Sequence, residues 1–143
     1  MKVLIIGGVA AGTKTAAKLK REDRSTEITV ITRERNISYA GCGLPYYVGG
    51  LVENREALII NTPEKYAELT GVEVRTGKEA ISLDADKKQV TVKDLFTGEE
   101  EVCTYDKLVL AVGASPAELL IPGMAQQLSL IHISEPTRQA EIS

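Results

Sequence analysis

The chain of 143 residues has no tryptophan, one phenylalanine, one histidine and two cysteines. Few aromatic rings leave little material for a surface on which nucleic-acid bases could stack. The net charge of −3 gives no electrostatic attraction toward nucleic acid or an anionic membrane. No apolar run approaches the roughly 20 residues that a membrane-spanning helix needs. We therefore expect neither nucleic acid nor a membrane among the partners of this protein.

The two cysteines, Cys42 and Cys103, are too few for a disulfide framework. Neither has a second cysteine or a histidine at ligand spacing, so we expect no metal site. Met1 stands directly before an apolar segment, which leaves no room for a signal peptide and favours a cytoplasmic location. The hydrophobic content of 43% and the charged content of 26% are typical of a soluble globular domain.

The N-terminus shows the pattern of a strand, a tight turn and a helix. The apolar run Lys2–Ile6 leads directly into the glycine-rich segment 7–12. Residues 13–23 then carry small and apolar side chains on one side and basic side chains at the end. This order predicts a buried strand followed by a helix that begins near Ala11. A turn of this kind aims free backbone N–H groups at a phosphate.

The glycine spacing in this turn is a partial dinucleotide fingerprint. The usual spacing is G-x-G-x-x-G. Gly7 and Gly12 occupy its first and third glycine positions, and Val9 stands at the second. By itself the match is weak, and a plain strand-to-helix connection is the alternative interpretation.

The segment 38–48 places the thiol of Cys42 between Gly41 and Gly43, just before a predicted short helix. Glycines let a flat partner approach the backbone closely. A helix N-terminus favours the thiolate, which is the reactive form of cysteine. The pattern indicates a reactive thiol, with a buried packing cysteine as the alternative. Cys103 has neither glycine neighbours nor a helix start, so it is predicted to pack.

The remaining pattern predicts an α/β fold. Thr62 is the predicted cap of a helix that ends at Gly71. Further strands of a parallel sheet are predicted at 28–31, 72–75 and 108–112. Alternating residues predict an antiparallel three-stranded meander at 80–83, 89–93 and 101–105. Together these elements describe a Rossmann-like parallel sheet with an inserted meander.

Four segments together resemble the single-cysteine branch of the FAD- and pyridine-nucleotide-dependent disulfide oxidoreductases. That branch holds coenzyme A-disulfide reductase, NADH oxidase and NADH peroxidase. The segments are 5–12, 38–47, 61–64 and 105–116, and the resemblance runs from residue 1 to about residue 125. The Cys-Gly-Leu-Pro-Tyr-Tyr run at 42–47 is its most specific part. In this family valine is ordinary at the position of Val9.

The resemblance implies a Rossmann-like FAD-binding domain over residues 1–127. It further implies NAD(P)H as the electron donor of the intact enzyme, a small-molecule substrate and a homodimer. Cys42 would be the catalytic thiol beneath the flavin, forming a mixed disulfide with coenzyme A in a reductase. In a peroxidase or oxidase it would form a sulfenic acid. A non-catalytic flavin-binding module is the alternative from another class.

The same resemblance implies a set of residues that contact FAD. They are Gly7, Gly8, Val9, Ala10, Ala11, Gly12, Thr32, Arg33, Glu34, Ser38, Cys42, Glu79, Ala80, Ala111, Val112 and Gly113. The pyrophosphate would meet the turn before the first helix, and residues 79–80 would contact adenine by their backbone.

Three positions depart from the family's pattern. Thr32 stands where the family usually has an acidic residue that holds the adenosine ribose, and Glu34 is a candidate substitute from the loop. Gly41 replaces a common asparagine, and Val112 replaces a frequent threonine. Three basic residues near the end of the first predicted helix are candidates for binding the phosphates of coenzyme A: Lys18, Lys20 and Arg21. The alternative is that they form a solvated helix end.

Residues 128–138 resemble the translation of a DNA sequencing-library adapter. On this resemblance we expect 128–143 to be a non-native tail, which includes the single histidine, His132. We also expect the chain to be the N-terminal part of a longer enzyme and to be inactive by itself. A genuine segment of this protein is the alternative interpretation.

Overall fold

A computed structural model of the chain describes residues 1–114. Short 3-10 turns lie at Gly41–Gly43 and Arg55–Leu58. In chain order the elements are β1 (Lys2–Ile6), α1 (Ala10–Glu22), β2 (Glu27–Thr32), β3 (Ile37–Tyr39), α2 (Leu44–Val48), β4 (Ile59–Asn61), α3 (Pro63–Thr70), β5 (Glu73–Thr76), β6 (Lys78–Asp84), β7 (Gln89–Asp94), β8 (Glu100–Thr104) and β9 (Lys107–Leu110).

Four parallel strands form the central sheet in the order β5-β2-β1-β9. The strands β1 and β2 are almost continuously apolar because both faces of the sheet are covered. On one face Ile5 and Val30 pack with Ala16 of α1 and Tyr66 of α3. The core therefore lies between the sheet and its two helices on this side.

The opposite face of the sheet is covered by the meander. Strands β6, β7 and β8 pair antiparallel, with a shift of register between Ala80 and Ser82. Val90 and Val92 of the meander pack on Leu4 and Ile31 of the sheet. Since the meander connects β5 to β9, the predicted α/β fold with an inserted antiparallel meander is confirmed.

Two features differ from the expectation. The last strand ends at Leu110 rather than at 112, although the N–H of Ala111 still donates to the carbonyl of Ile6 at 2.8 Å. The antiparallel pairing of β3 with β4 was not predicted. Each of these strands has three residues, which is too few to show an alternating pattern.

Two sequence predictions fall beyond the described residues. The expected domain boundary at 127 and the expected tail over 128–143 lie outside them and stay predictions. Within residues 1–114, no helix combines the length and the apolar character needed to cross a bilayer.

Candidate active site

The carboxyl ends of the four parallel strands meet at one edge of the sheet, and the predicted cofactor residues gather there. At this edge the N–H of Gly7 donates to the carbonyl of Ile31, and the N–H of Ala111 donates to the carbonyl of Ile6, each at 2.8 Å. Residues 7–8 follow β1, and Thr32 ends β2. Residues 79–80 lie at the start of β6, and residues 111–113 follow β9.

The turn between β1 and α1 is packed so tightly that side chains cannot enter it. Gly7 has φ +113, and a Cβ atom there would overlap the carbonyl of Ala111. A Cβ atom on Gly12 would overlap the carbonyl of Gly7. The fingerprint glycines are therefore required by the close approach of α1 to β1 and of the turn to β9.

The N-terminus of α1 is left open for an external acceptor. Val9 precedes the helix without a side-chain capping bond, and the first turn carries no acidic residue. The hydroxyl of Thr13 donates to the carbonyl of Val9 at 2.6 Å, so it uses no backbone N–H group. First-turn N–H groups and the helix dipole favour an anion at this end. The turn and the exposed Ala10 and Ala11 therefore fit the pyrophosphate of a dinucleotide such as FAD.

Beyond β2, the side chain of Thr32 is buried against Gly8, where an added Cβ would lie 2.9 Å from the Thr32 Cβ. The loop that follows reaches the start of the meander. Arg33 Nη1 lies 3.5 Å from Glu79 Oε1, so two predicted cofactor residues form an ion pair with each other. Glu34 is exposed.

Ser38 links residues 38–48, which we call the cysteine segment, to the turn between β1 and α1 at residues 7–9, which we call the phosphate turn. Its N–H donates to the carbonyl of Gly8 at 3.2 Å, and its φ of +51 is unusual for a residue other than glycine. Three residues after β3, Cys42 lies in the 3-10 turn that precedes α2, as the sequence predicts. Cys42 is exposed, so the alternative of a buried packing cysteine is wrong.

Cys103 has a different environment. It is half-buried in β8 and packs against the apolar cluster formed by Leu4, Ile31, Val90 and Val92. Burial raises the pKa of the Cys103 thiol, and the charge of Glu101 acts in the same direction. The prediction that Cys103 packs is confirmed.

One contact at this edge is not predictable from the sequence pattern. The guanidinium carbon of Arg35 lies 5.3 Å from the ring centroid of Phe96, in the turn between β7 and β8. The available signal was the single phenylalanine of the chain, placed in a polar turn rather than in a strand. Within residues 1–114, no group of three or more His, Cys, Asp or Glu side chains is arranged to hold a metal ion.

Known proteins resemble the chain in sequence and in structure. The family described as "Pyridine nucleotide-disulphide oxidoreductase" matches residues 1–141. Coenzyme A disulfide reductase of Staphylococcus aureus (strain JH9) is 36% identical over 118 residues, which are 82% of this chain and 27% of that protein.

Two solved structures share the fold. An NAD-dependent persulfide reductase from A. fulgidus has a TM-score of 0.80 and 37% identity, over 87% of this chain and 24% of that one. A water-forming NADH oxidase from Lactobacillus brevis, bound to NADH, has a TM-score of 0.80 and 31% identity, over 99% of this chain and 32% of that one.

The chain spans about a quarter of the length of the curated relative described above. The family match over residues 1–141 includes the glycine turn, the cysteine segment and the meander. The family match extends over nearly the whole chain. The chain therefore belongs to the pyridine nucleotide-disulphide oxidoreductases, a family of flavin enzymes that use FAD and NAD(P)H.

Proposed function

We propose that this chain is the FAD-binding part of a coenzyme A-disulfide reductase in which Cys42 is the catalytic thiol. The observation that carries the proposal is the position of Cys42. It is exposed between two glycines, in a segment joined to the phosphate turn through the bond from Ser38 to Gly8. Gly43 packs against Leu58, where an added Cβ would approach the Leu58 Cδ2 to 2.7 Å. This packing holds the backbone of the cysteine segment in place.

Thiol–disulfide exchange is the chemistry that this site supports. The Cys42 thiolate attacks one sulfur of coenzyme A disulfide, so that a Cys42–S–S–CoA bond forms and the substrate's own S–S bond breaks. One coenzyme A thiolate leaves and takes a proton from water. When bound at the turn between β1 and α1, FAD would supply the redox chemistry that passes two electrons from NAD(P)H to the mixed disulfide.

A basic recess supports coenzyme A rather than peroxide or oxygen as the substrate. It has a volume of about 570 Å³ and lies where α1 and α3 both end. Because α1 has 13 residues, the recess is roughly 20 Å from the phosphate turn at the other end of the helix. Its lining residues are Ala17, Lys20, Arg21, Arg24, Leu69, Thr70 and Gly71.

The three basic residues predicted for the phosphates of coenzyme A have different surroundings, and of these Lys20 and Arg21 line the recess while Lys18 does not. Lys18 pairs with Glu22 at 2.8 Å, and Lys20 donates to the carbonyl of Thr26 at 2.8 Å. Arg21 and Arg24 supply further guanidinium groups, which suit phosphates well. We therefore assign the phosphates of coenzyme A chiefly to the two arginines.

The test uses the chain with Cys103→Ser, mixed with coenzyme A disulfide and analysed by mass spectrometry. We expect a coenzyme A adduct on Cys42, and none in a variant that also carries Cys42→Ser. The pair Arg21→Ala and Arg24→Ala should slow the reaction with coenzyme A disulfide about tenfold, which is ~1.4 kcal/mol. The same pair should leave the reaction with the uncharged 2-hydroxyethyl disulfide unchanged.

Two outcomes would reject parts of the proposal. Absence of any adduct would remove Cys42 from the catalytic role. Equal slowing with both disulfides would remove coenzyme A recognition from the recess. Hydrogen peroxide would convert Cys42 to a sulfenic acid, which dimedone detects. If this reaction is faster than the formation of the coenzyme A adduct, the peroxidase or oxidase alternative is favoured. The homodimer and the cytoplasmic location remain predictions from the sequence.

A further inference from the structure

Three successive residues of the loop 33–36 contact the meander or Gly77, which directly precedes it. Arg33 pairs with Glu79 at 3.5 Å, and the carbonyl of Glu34 accepts from the N–H of Gly77 at 3.5 Å. The guanidinium of Arg35 lies over the ring of Phe96 at 5.3 Å. The loop directly follows β2, at the edge where a dinucleotide's ribose is recognised in this type of fold.

Phe96 is held in place although 63% of it is exposed. Its ring lies against Gly77, which is buried with φ +65, and a Cβ there would overlap the ring. Asp94 Oδ1 accepts from the N–H groups of Phe96 and Thr97 at 2.7 and 3.0 Å. The hydrogen bond from Lys78, followed by these backbone bonds, lowers the pKa of Asp94 to about 2, so the turn keeps its carboxylate. The turn is therefore a fixed platform for Arg35.

The charges of the loop leave one carboxylate available. Arg33 faces Glu79 and Arg35 faces Phe96, so both cations beside Glu34 already have partners. Glu34 is exposed and forms no ion pair within residues 1–114. Thr32 is buried and carries no charge. Only a carboxylate can accept hydrogen bonds from both ribose hydroxyls at once with two equivalent oxygens.

We propose that Phe96 is a positioning residue for dinucleotide recognition. Through Arg35 it holds the loop so that the carboxylate of Glu34 accepts hydrogen bonds from the 2′ and 3′ hydroxyls of the adenosine ribose. This inference rests on the proposed binding of FAD. It assigns ribose recognition to a residue two positions beyond the end of β2, and it gives the Phe96 side chain an indirect role in binding.

The experiment compares the binding of ADP with that of 2′,3′-dideoxy-ADP, which lacks both hydroxyls, by calorimetry at millimolar ligand. We expect the wild-type chain to prefer ADP. Glu34→Ala should weaken ADP binding about tenfold, since hydrogen bonds to a charged group are lost, and should abolish the preference. Phe96→Ala should weaken ADP binding about threefold, and Phe96→Tyr should restore it because the ring remains.

Leu95→Ala is the matched control, because Leu95 is an exposed neighbour in the same turn and contributes its backbone N–H to Gly77. It should leave ADP binding unchanged. A preference for ADP that survives in Glu34→Ala would overturn the ribose assignment. Equal effects of Phe96→Ala and Leu95→Ala would overturn the positioning role. Failure of the folded wild-type chain to bind ADP would overturn both.

The result is separable from the proposed function. Preference for ADP without binding of FAD would uphold the ribose site and reject the flavin assignment. Loss of the Cys42 adduct described above would reject the catalytic thiol without affecting the ribose site. Thermal melting of each variant shows that the change in binding is measured on folded protein.

Discussion

Gly7 is constrained both by its backbone conformation and by the atoms around it. Its φ is +113, and an added Cβ would overlap the backbone carbonyl of Ala111, which cannot rotate away. We expect Gly7→Ala to lower the free energy of unfolding by about 3 kcal/mol, because overpacking and backbone strain add together. Urea denaturation followed by circular dichroism measures the change.

Gly98 provides the control for this substitution. Its φ is +78, and no atom lies within 4 Å of an added Cβ. Gly98→Ala therefore measures the cost of the left-handed backbone conformation alone, and we expect it to lower the free energy of unfolding by about 1 kcal/mol. Similar losses for the two substitutions would contradict the steric explanation for Gly7.

At the scale of single residues, the sequence predicted those contacts that depend on nearby residues. The spacing of Gly7 and Gly12 indicated the tight turn between strand and helix, and the run around Cys42 indicated that this residue lies just before a short helix. The contact between Arg35 and Phe96 was not predictable in this way. It joins two loops that are far apart in the chain, and neither loop shows a periodic pattern.

Among the elements, α3 is tied to α1 by Tyr66. The buried Tyr66 hydroxyl donates to the carbonyl of Thr13 at 2.5 Å. We expect Tyr66→Phe to lower the free energy of unfolding by about 1 kcal/mol at neutral pH, since one buried hydrogen bond is lost. Tyr105→Phe, in the apolar cluster on the meander side, is a control for the loss of a hydroxyl away from α1.

The same tyrosine gives an alkaline pH dependence. Burial raises the pKa of Tyr66 above its ordinary value of 10.0. The unfolded chain therefore loses this proton before the folded chain does, and the stabilisation that is present below pH 10 declines as pH rises further. Urea unfolding above pH 10 should show a steeper loss for the wild type than for Tyr66→Phe. Parallel losses would contradict this assignment.

The sequence predicted most elements because their ends carry local signals. Thr62 caps α3 by accepting from the N–H of Lys65 at 3.2 Å, and Gly71 ends it with φ +70. The pairing of β3 with β4 carries no such signal. It depends on contacts across the intervening cysteine segment, which form only when the segment is folded.

For the whole molecule, we expect the chain alone to consume no NADH. It spans 27% of the S. aureus reductase, so most of the length of that relative has no counterpart in the match. Absorbance at the nicotinamide band, with FAD and coenzyme A disulfide added, measures turnover. Consumption that disappears in Cys42→Ser would contradict the expectation and would show that this part of the enzyme is sufficient.

The family could be predicted from the sequence because the cysteine run at 42–47 is specific and the glycine turn, a weak match by itself, occurs in the same chain. The substrate could not be predicted to the same degree. The basic recess combines the ends of α1 and α3, and its lining residues come from two distant stretches of the chain, 17–24 and 69–71. Such a recess becomes visible only after the helices pack on one face of the sheet.

The position of β1 between β2 and β9 has a consequence for the order in which the protein forms during synthesis. The N–H of Lys2 donates to the carboxylate of Asp106 at 2.6 Å, across 104 residues of chain. β1 is the first strand to leave the ribosome, and its second edge can be paired only after β9, the last strand that the structure describes, has been synthesised. A nascent chain that stops short of residue 107 would expose that edge, and an exposed strand edge can pair with another chain.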